Sequence, residues 1–190
     1  MDFVTNYSSR RWIAVAPLLV CLTLLGGGCK RKRRAKPQST EDAAPSRLAP
    51  GLIPARLEMR DPAIASQLLK GFYRTEESWR WTAGQFSVLL GIPKRAAASG
   101  GVLKLRFAIP EAVLSQVHEQ TLSASINGKP LAPETYRTSG VQTYTQTISP
   151  ELLTGQGVQV DFTVNPVLPP GAADKRELGV IASSVSLEAK

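Results

Sequence analysis

An antiparallel β-sandwich is the fold class this sequence predicts, jelly-roll-like first and immunoglobulin-like as the second topology. Three observations predict it. The first is strict period-two alternation. "VLKLRFAIP" (102–110) sets Leu103, Leu105, Phe107 and Ile109 against Lys104, Arg106 and Ala108. "VQVDFTVN" (158–165) sets Val158, Val160, Phe162 and Val164 against Gln159, Asp161 and Thr163, and "TLSASING" (121–128) alternates Leu122, Ala124 and Ile126 with serines. Such patterns belong to strands with one face in a core and the other in water. The second is Asn127-Gly128 in "INGKPL", the pair a type I′ hairpin turn requires because both positions need positive φ. The third is spacing: with "QFSVLLGIP" (85–93), "VQTYTQTIS" (141–149) and "LGVIASSVSLEA" (178–189) there are at least six strands and no βαβ rhythm.

The folded part begins at residue 52. Before it, "MDFVTNYSSRRWIAVAPLLVCLTLLGGGC" carries Arg10 and Arg11, an apolar run from Trp12 to Leu25, three glycines and Cys29. This resembles a bacterial lipoprotein export signal, in which small residues precede a cysteine that is lipidated and becomes the first residue after cleavage. Gly27 and Gly28 match the two positions before that cysteine, and Gly26 departs from the leucine-like residue usual there. The resemblance implies a signal peptide over 1–28, lipid on Cys29, and a home in the bacterial cell envelope. The competing reading is an uncleaved membrane helix over Trp12–Cys29, with basic flanks that favour a cytoplasmic C-terminus. Against it, the glycines shorten the strongly apolar stretch below a comfortable span. Residues 29–51 follow as a basic tether, opening with "KRKRRAK" after Cys29 and carrying Pro37, Pro45 and Pro50 but too little apolar surface to bury a core.

Charge and cysteine content narrow the function. Residues 1–47 hold nine Lys/Arg against three Asp/Glu, whereas 48–190 hold fourteen against twelve. The basic character sits in the leader and tether, so nucleic acid is not an expected partner. Both cysteines, Cys21 and Cys29, precede the domain, which leaves it without a disulfide framework or a thiolate metal site. The single histidine, His118, reads as a surface helix residue. No cofactor or metal is expected, and a monomer is.

Two helical segments punctuate the strands. "DPAIASQLLKGF" (61–72) has Asp61 as N-cap, Pro62 at the first position and Gly71 as the stop, and "PEAVLSQVHEQ" (110–120) puts Val113, Leu114 and Val117 on one face. "ASGGV" (98–102) reads as a turn; no strand-to-helix context makes it a phosphate loop.

Two motifs remain. "GFYRTEESWRW" (71–81) holds four of the twelve aromatics in the chain, and "DKRELGV" (174–180) introduces the last strand. Together they resemble a small β-sandwich module of bacterial lipoproteins, also appended to glycosyltransferases and other envelope polysaccharide proteins. The matching residues are Gly71, Phe72, Glu76 or Glu77, Arg80 and Trp81, then Asp174, Arg176, Leu178 and Gly179. The resemblance implies a fold and a cellular setting, with the first motif placed ahead of the first strand, and no catalytic role. The residue chemistry supports two uses. Tyr73, Trp79 and Trp81, with Arg80 beside them, suit a sugar platform, since aromatic faces stack on the C–H face of pyranose rings. Alternatively Phe72 and Trp81 are core, and Glu77, Arg80, Asp174 and Arg176 form a charge network closing one end of the sandwich. No carboxylate pair or nucleophile is singled out for catalysis. The expected function is therefore a non-catalytic envelope lipoprotein that binds a glycan or a protein partner. The alternative is a membrane-anchored protein with a cytoplasmic, purely structural domain.

Overall fold

The computed structural model describes residues 52–172 and 174–190. The expected signal segment 1–28, Cys29 and the expected tether to residue 51 lie outside the described residues. The alternating segments are strands. The first motif contributes β2 (Leu68–Glu76) and β3 (Trp79–Gly91), after a short β1 (Arg56–Glu58). Then come α1 (Lys94–Ser99), β4 (Gly101–Ile109), α2 (Glu111–Val117), β5 (Gln120–Ile126), β6 (Lys129–Pro130) and β7 (Glu134–Tyr136). The chain finishes with β8 (Gly140–Ile148), β9 (Gly157–Asn165) and β10 (Ile181–Ala189).

All ten strands belong to one antiparallel sheet that curls into two layers. One layer runs β2-β3-β9-β5, with β6 and β7 along the far side of β5; the other runs β1-β10-β4-β8. They join where Trp81 and Arg80 of β3 pair with Ile181 and Ala182 of β10. A register shift between Ala182 and Ser184 follows at once, the kind of bulge that bends a strand, and past it the same edge of β10 takes up β1.

The alternation predicted from sequence is realised side chain by side chain. Leu103, Leu105, Phe107 and Ile109 are buried, as are Val158, Val160, Phe162 and Val164, and Leu122, Ala124 and Ile126. Phe162 links the layers: it stacks on Phe86 of β3 at 4.9 Å and meets Tyr144 of β8 edge-on at 6.5 Å. Asn127 and Gly128 have φ of 50° and 78°, as the type I′ turn demands. In α2, Val113 and Leu114 are buried and Val117 packs on the core, while His118 caps the helix, exposed, with φ 65°.

The helix expected over 61–72 is much shorter. Asp61 does cap it, accepting from the Ala63 amide at 2.8 Å, but only Pro62–Gln67 forms a 3₁₀ turn. Leu68 already pairs with Val88, and Gly71 is a bulge residue inside β2 (φ 76°), not a stop. A Cβ at Gly71 would lie 2.0 Å from the Gln85 carbonyl oxygen. Strand pairing has captured the two leucines that gave the segment helical spacing. The first motif likewise does not precede the first strand: β1 comes earlier, and "GFYRTEESWRW" is itself a hairpin.

Burial pushes the Tyr144 phenol up to about 12, and its hydroxyl donates to the Ala132 carbonyl oxygen at 2.7 Å. Tyr136 is also raised, by burial and by its 2.6 Å hydrogen bond to Glu134. An unfolded tyrosine ionises near pH 10, so the native state holds these protons more tightly. Their contribution to stability is complete below about pH 10 and is lost as pH rises through the folded-state values. Denaturant melts across this range, followed with tyrosinate absorbance, should show stability falling with pH, and Tyr144→Phe should make the fall shallower.

Candidate functional site

Both sequence motifs meet at the β3–β10 seam. Glu77, at φ 53°, turns the chain between β2 and β3, which sets Glu76 opposite Trp79 and Thr75 opposite Arg80. Because β3 is extended here, Trp79 and Trp81 project to one face and Arg80 to the other. The two indoles meet edge to face, 6.3 Å between centroids at 87°. Both are half-buried; Trp81 packs against the core, and Trp79 stands outside that cluster.

The 174–179 loop clasps this hairpin. Arg176 bonds both Asp174 carboxylate oxygens through Nε at 3.1 Å, adds Nη2 to Oδ2 at 2.8 Å, and reaches Glu76 Oε1 through Nη1 at 3.1 Å. These bonds hold the Asp174 carboxyl below the usual carboxylate range and raise the guanidinium further from deprotonation. The Arg176 guanidinium also sits 5.1 Å from the centroid of the Tyr73 ring, a cation–π arrangement. The Tyr73 hydroxyl donates to the Glu177 carbonyl at 2.8 Å, and Glu177 Oε1 accepts from the Gly84 amide at 2.8 Å. On the other face, Arg80 donates to the carbonyls of Met59 (3.1 Å) and Tyr73 (3.2 Å).

The sequence-predicted residues therefore divide. Trp79 and Trp81 are brought together on one face, Trp81 packed against the core and Trp79 outside it. Tyr73 is committed, with one ring face under Arg176 and its hydroxyl bonded. Arg80 clamps backbone rather than presenting its donors as a free fork. The charge network has a different acid from the one expected: Glu76 pairs with Arg176, and Glu77 is an exposed turn residue. The positive φ at Glu77 decides this: Glu76, opposite Trp79, reaches Arg176 of the loop, and the turn position does not. Sequence reasoning passed over Glu177, whose side chain caps the Gly84 amide. No spacing signal marks it, because its partner lies 93 residues away.

Gly179 explains why the second motif ends in glycine. Its amide donates to the Thr82 carbonyl at 2.7 Å, and the Val180 amide reaches the Thr82 hydroxyl at 3.1 Å. A Cβ there would lie 2.6 Å from the Ala83 carbonyl and 2.7 Å from Thr82 Oγ1. Two open depressions flank the seam. One, about 290 Å³, is lined by Leu68, Leu69, Lys70, Phe72 and Arg80; the other, about 640 Å³, by Gln85, Thr163, Asn165, Val167 and Glu177. Neither is lined by Tyr73, Trp79 or Trp81.

No protein-family model and no curated protein matches the chain. Among solved structures it is similar to an exo-β-1,3-galactanase from Phanerochaete chrysosporium, at 11% identity and TM-score 0.43, covering 71% of this chain and 29% of that one. It is also similar to the CBM36-1 domain of a multidomain xylanase from the hindgut metagenome of Trinervitermes trinervoides (12% identity, TM-score 0.41, 71% and 98% covered). A third is a structure described as "CBM4 structure and function" (13% identity, TM-score 0.34, 71% and 85% covered). The chain thus spans under a third of the galactanase, and these likenesses assign it no ligand and no residue role.

Gly179→Ala should destabilise the domain by about 3 kcal/mol or more, because its new methyl meets backbone that cannot rotate away. Gly171→Ala, with nothing within 4 Å of the added carbon, should stay within about 0.5 kcal/mol of wild type. Paired denaturant melts check both.

Proposed function

We propose that the chain is an exported protein, lipidated at Cys29, whose sandwich is a non-catalytic module that binds an envelope polysaccharide through Trp79 and Trp81. The observation that carries the binding reading is the indole pair: two partly buried tryptophans that meet on one face of β3, beside the Arg176, Asp174 and Glu76 charge network. Such a surface offers apolar stacking area with hydrogen-bonding groups at its margin, the composition a pyranose ring needs. The non-catalytic reading is supported by the state of the acids. Asp174, Asp161 and Glu188 are all held ionised by hydrogen bonds from Arg176, from Ser87 and Gln159, and from Lys104. A carboxyl pinned in that way is a poor general acid.

The four residues suggested by the sequence narrow in this proposal to two, with Tyr73 and Arg80 acting as supports. One stacked sugar contributes a few kcal/mol at most, which places a single-site affinity near the millimolar range, about 4 kcal/mol. Trp79→Ala should remain folded, since Trp79 is not part of the core cluster. Titration with cell-envelope polysaccharide, read by tryptophan fluorescence, should show at least tenfold weaker binding for this variant. Unchanged binding by a folded variant would sink the platform.

The anchoring half of the proposal rests on the leader sequence alone. Mass spectrometry of the N-terminal peptide from the native membrane should find acyl chains on Cys29 and no residues 1–28. An intact Met1 would instead favour the membrane-helix reading, and with it a purely structural domain on the cytoplasmic side.

A further inference from the structure

The sheet has several free edges, and all but one are blunted. β6 is two residues long and one is proline. β7 is three residues, and β1 is three, two of them charged and paired, Arg56 with Glu58 at 2.6 Å. β2 has three register shifts and carries Lys70 and Arg74, both exposed. Short length, charge, proline and bulging are the devices by which proteins keep sheet edges from pairing with other chains. β8 has none of them. It is nine residues long, "GVQTYTQTI", without proline or charge, and all nine hold unbroken register with β4. Among the described residues no other backbone bonds to it. Gln142, Tyr144 and Gln146 reach inward to Thr138, Ala132 and Glu134, while Val141 (63% exposed), Thr143, Thr145 and Thr147 face solvent.

We propose that the free edge of β8 pairs antiparallel with β8 of a second copy of this chain, about a two-fold axis at Tyr144. The edge is self-complementary in that register. Val141 faces Thr147 of the second copy, Thr143 faces Thr145, and Gln142 faces Gln146, with no charge on either side. A threonine pair of this kind already exists within the domain, where Thr121 of β5 and Thr135 of β7 bond at 2.8 Å. Glu134 bonds Gln146 at 3.1 Å on the inner face, and on the solvent face the charges on the neighbouring strand are Lys104 and Arg106, the β4 partners of Thr145 and Thr143. Across the two-fold, Lys104 lies three strand spacings from the second Arg106, about 14 Å, beyond the roughly 8 Å screening length at physiological salt. Closure also favours a second copy over an open polymer. Joining two β8 edges consumes both, and the combined β1-β10-β4-β8 layer then ends on β1 at each side, which is short and charged.

Sedimentation velocity of the full chain over a range of concentrations tests the pairing. Wild type should pass from monomer to dimer. Thr143→Lys/Thr145→Lys puts lysine opposite lysine on exposed positions and should weaken association at least tenfold, with an unchanged circular dichroism spectrum. Mixing it with Thr143→Glu/Thr145→Glu should restore a one-to-one dimer. Amide exchange of residues 140–148 in the wild type should slow as concentration rises, a readout that does not depend on the variants folding. A wild type that stays monomeric overturns the proposal and leaves the edge to an extended segment of another protein. A lysine variant that dimerises like wild type, or a mixture that fails to reassociate, overturns the register.

Discussion

The structure depends on one close approach. At the seam, Gly179 and Val180 run against Thr82 and Ala83 at a separation that no side chain on residue 179 would permit, and three hydrogen bonds of 2.7–3.1 Å close the gap. This contact passes the sheet from β3 to β10 and so from one layer to the other. A sandwich made of two separate sheets is held by side-chain packing alone. Here the layers share backbone as well. The register of the β1-β10-β4-β8 layer is thereby tied to that of the β2-β3-β9-β5 layer, and the buried rows of β4 and β9 join one core. The Arg176 fork and the Tyr73 hydroxyl lie directly beside the seam and brace it. That bracing puts the charge chemistry of the loop into structure: Arg176 commits a donor from each of its three nitrogens to Asp174 and Glu76.

Alternation made most strands legible. Leu103 to Ile109 and Val158 to Val164 could be read because every second residue meets the core, which is a local property of one strand. The order β2-β3-β9-β5 is not local, and only β2–β3 and β5–β6 are hairpins. Nothing in the period of β9 says that it lies between β3 and β5. Residues 61–72 show the opposite failure. Ile64, Leu68 and Leu69 fit a helical stripe, but Leu68 is claimed by a strand pairing with Val88, twenty residues on, and tertiary pairing overrides the local preference. The unexpected α1 had a signal in the run "KRAAAS" between Pro93 and Gly100, with strong helix formers bounded by a start and a stop.

At the candidate site the legible part was the aromatic spacing. Trp79 and Trp81 share a face if the segment is extended, and the hairpin makes it so. What could not be read was which polar group each aromatic would meet. Tyr73 and Arg176 are more than a hundred residues apart, and only the folded loop lays one over the other. The same holds for choosing between Glu76 and Glu77. Adjacent positions in a turn are equivalent in composition and opposite in direction, and φ at Glu77 decides between them.

The two ends of the molecule bear on one another through affinity. A pair of indoles is a small surface, and stacking on it cannot exceed a few kcal/mol after the losses of immobilising a sugar and its hydroxyls are subtracted. A polysaccharide is a repeating ligand, however, and a lipid-anchored protein is confined to a surface. Two platforms held in one dimer by β8 would engage the second repeat at an effective concentration set by their spacing, which raises avidity by roughly 10²–10⁴ without any new contact. β8 is at the far edge of the layer whose other side meets Trp81 through Ile181 and Ala108. The two-fold axis would therefore separate the platforms by the combined width of both half-sheets, β8 to β3 on each side. Eight strands at about 4.8 Å span roughly 35 Å, a distance that several sugar units must bridge. On the proposed platform and the proposed dimer, chain length would decide binding: a short oligosaccharide would reach one platform and bind weakly, and a polymer would reach both.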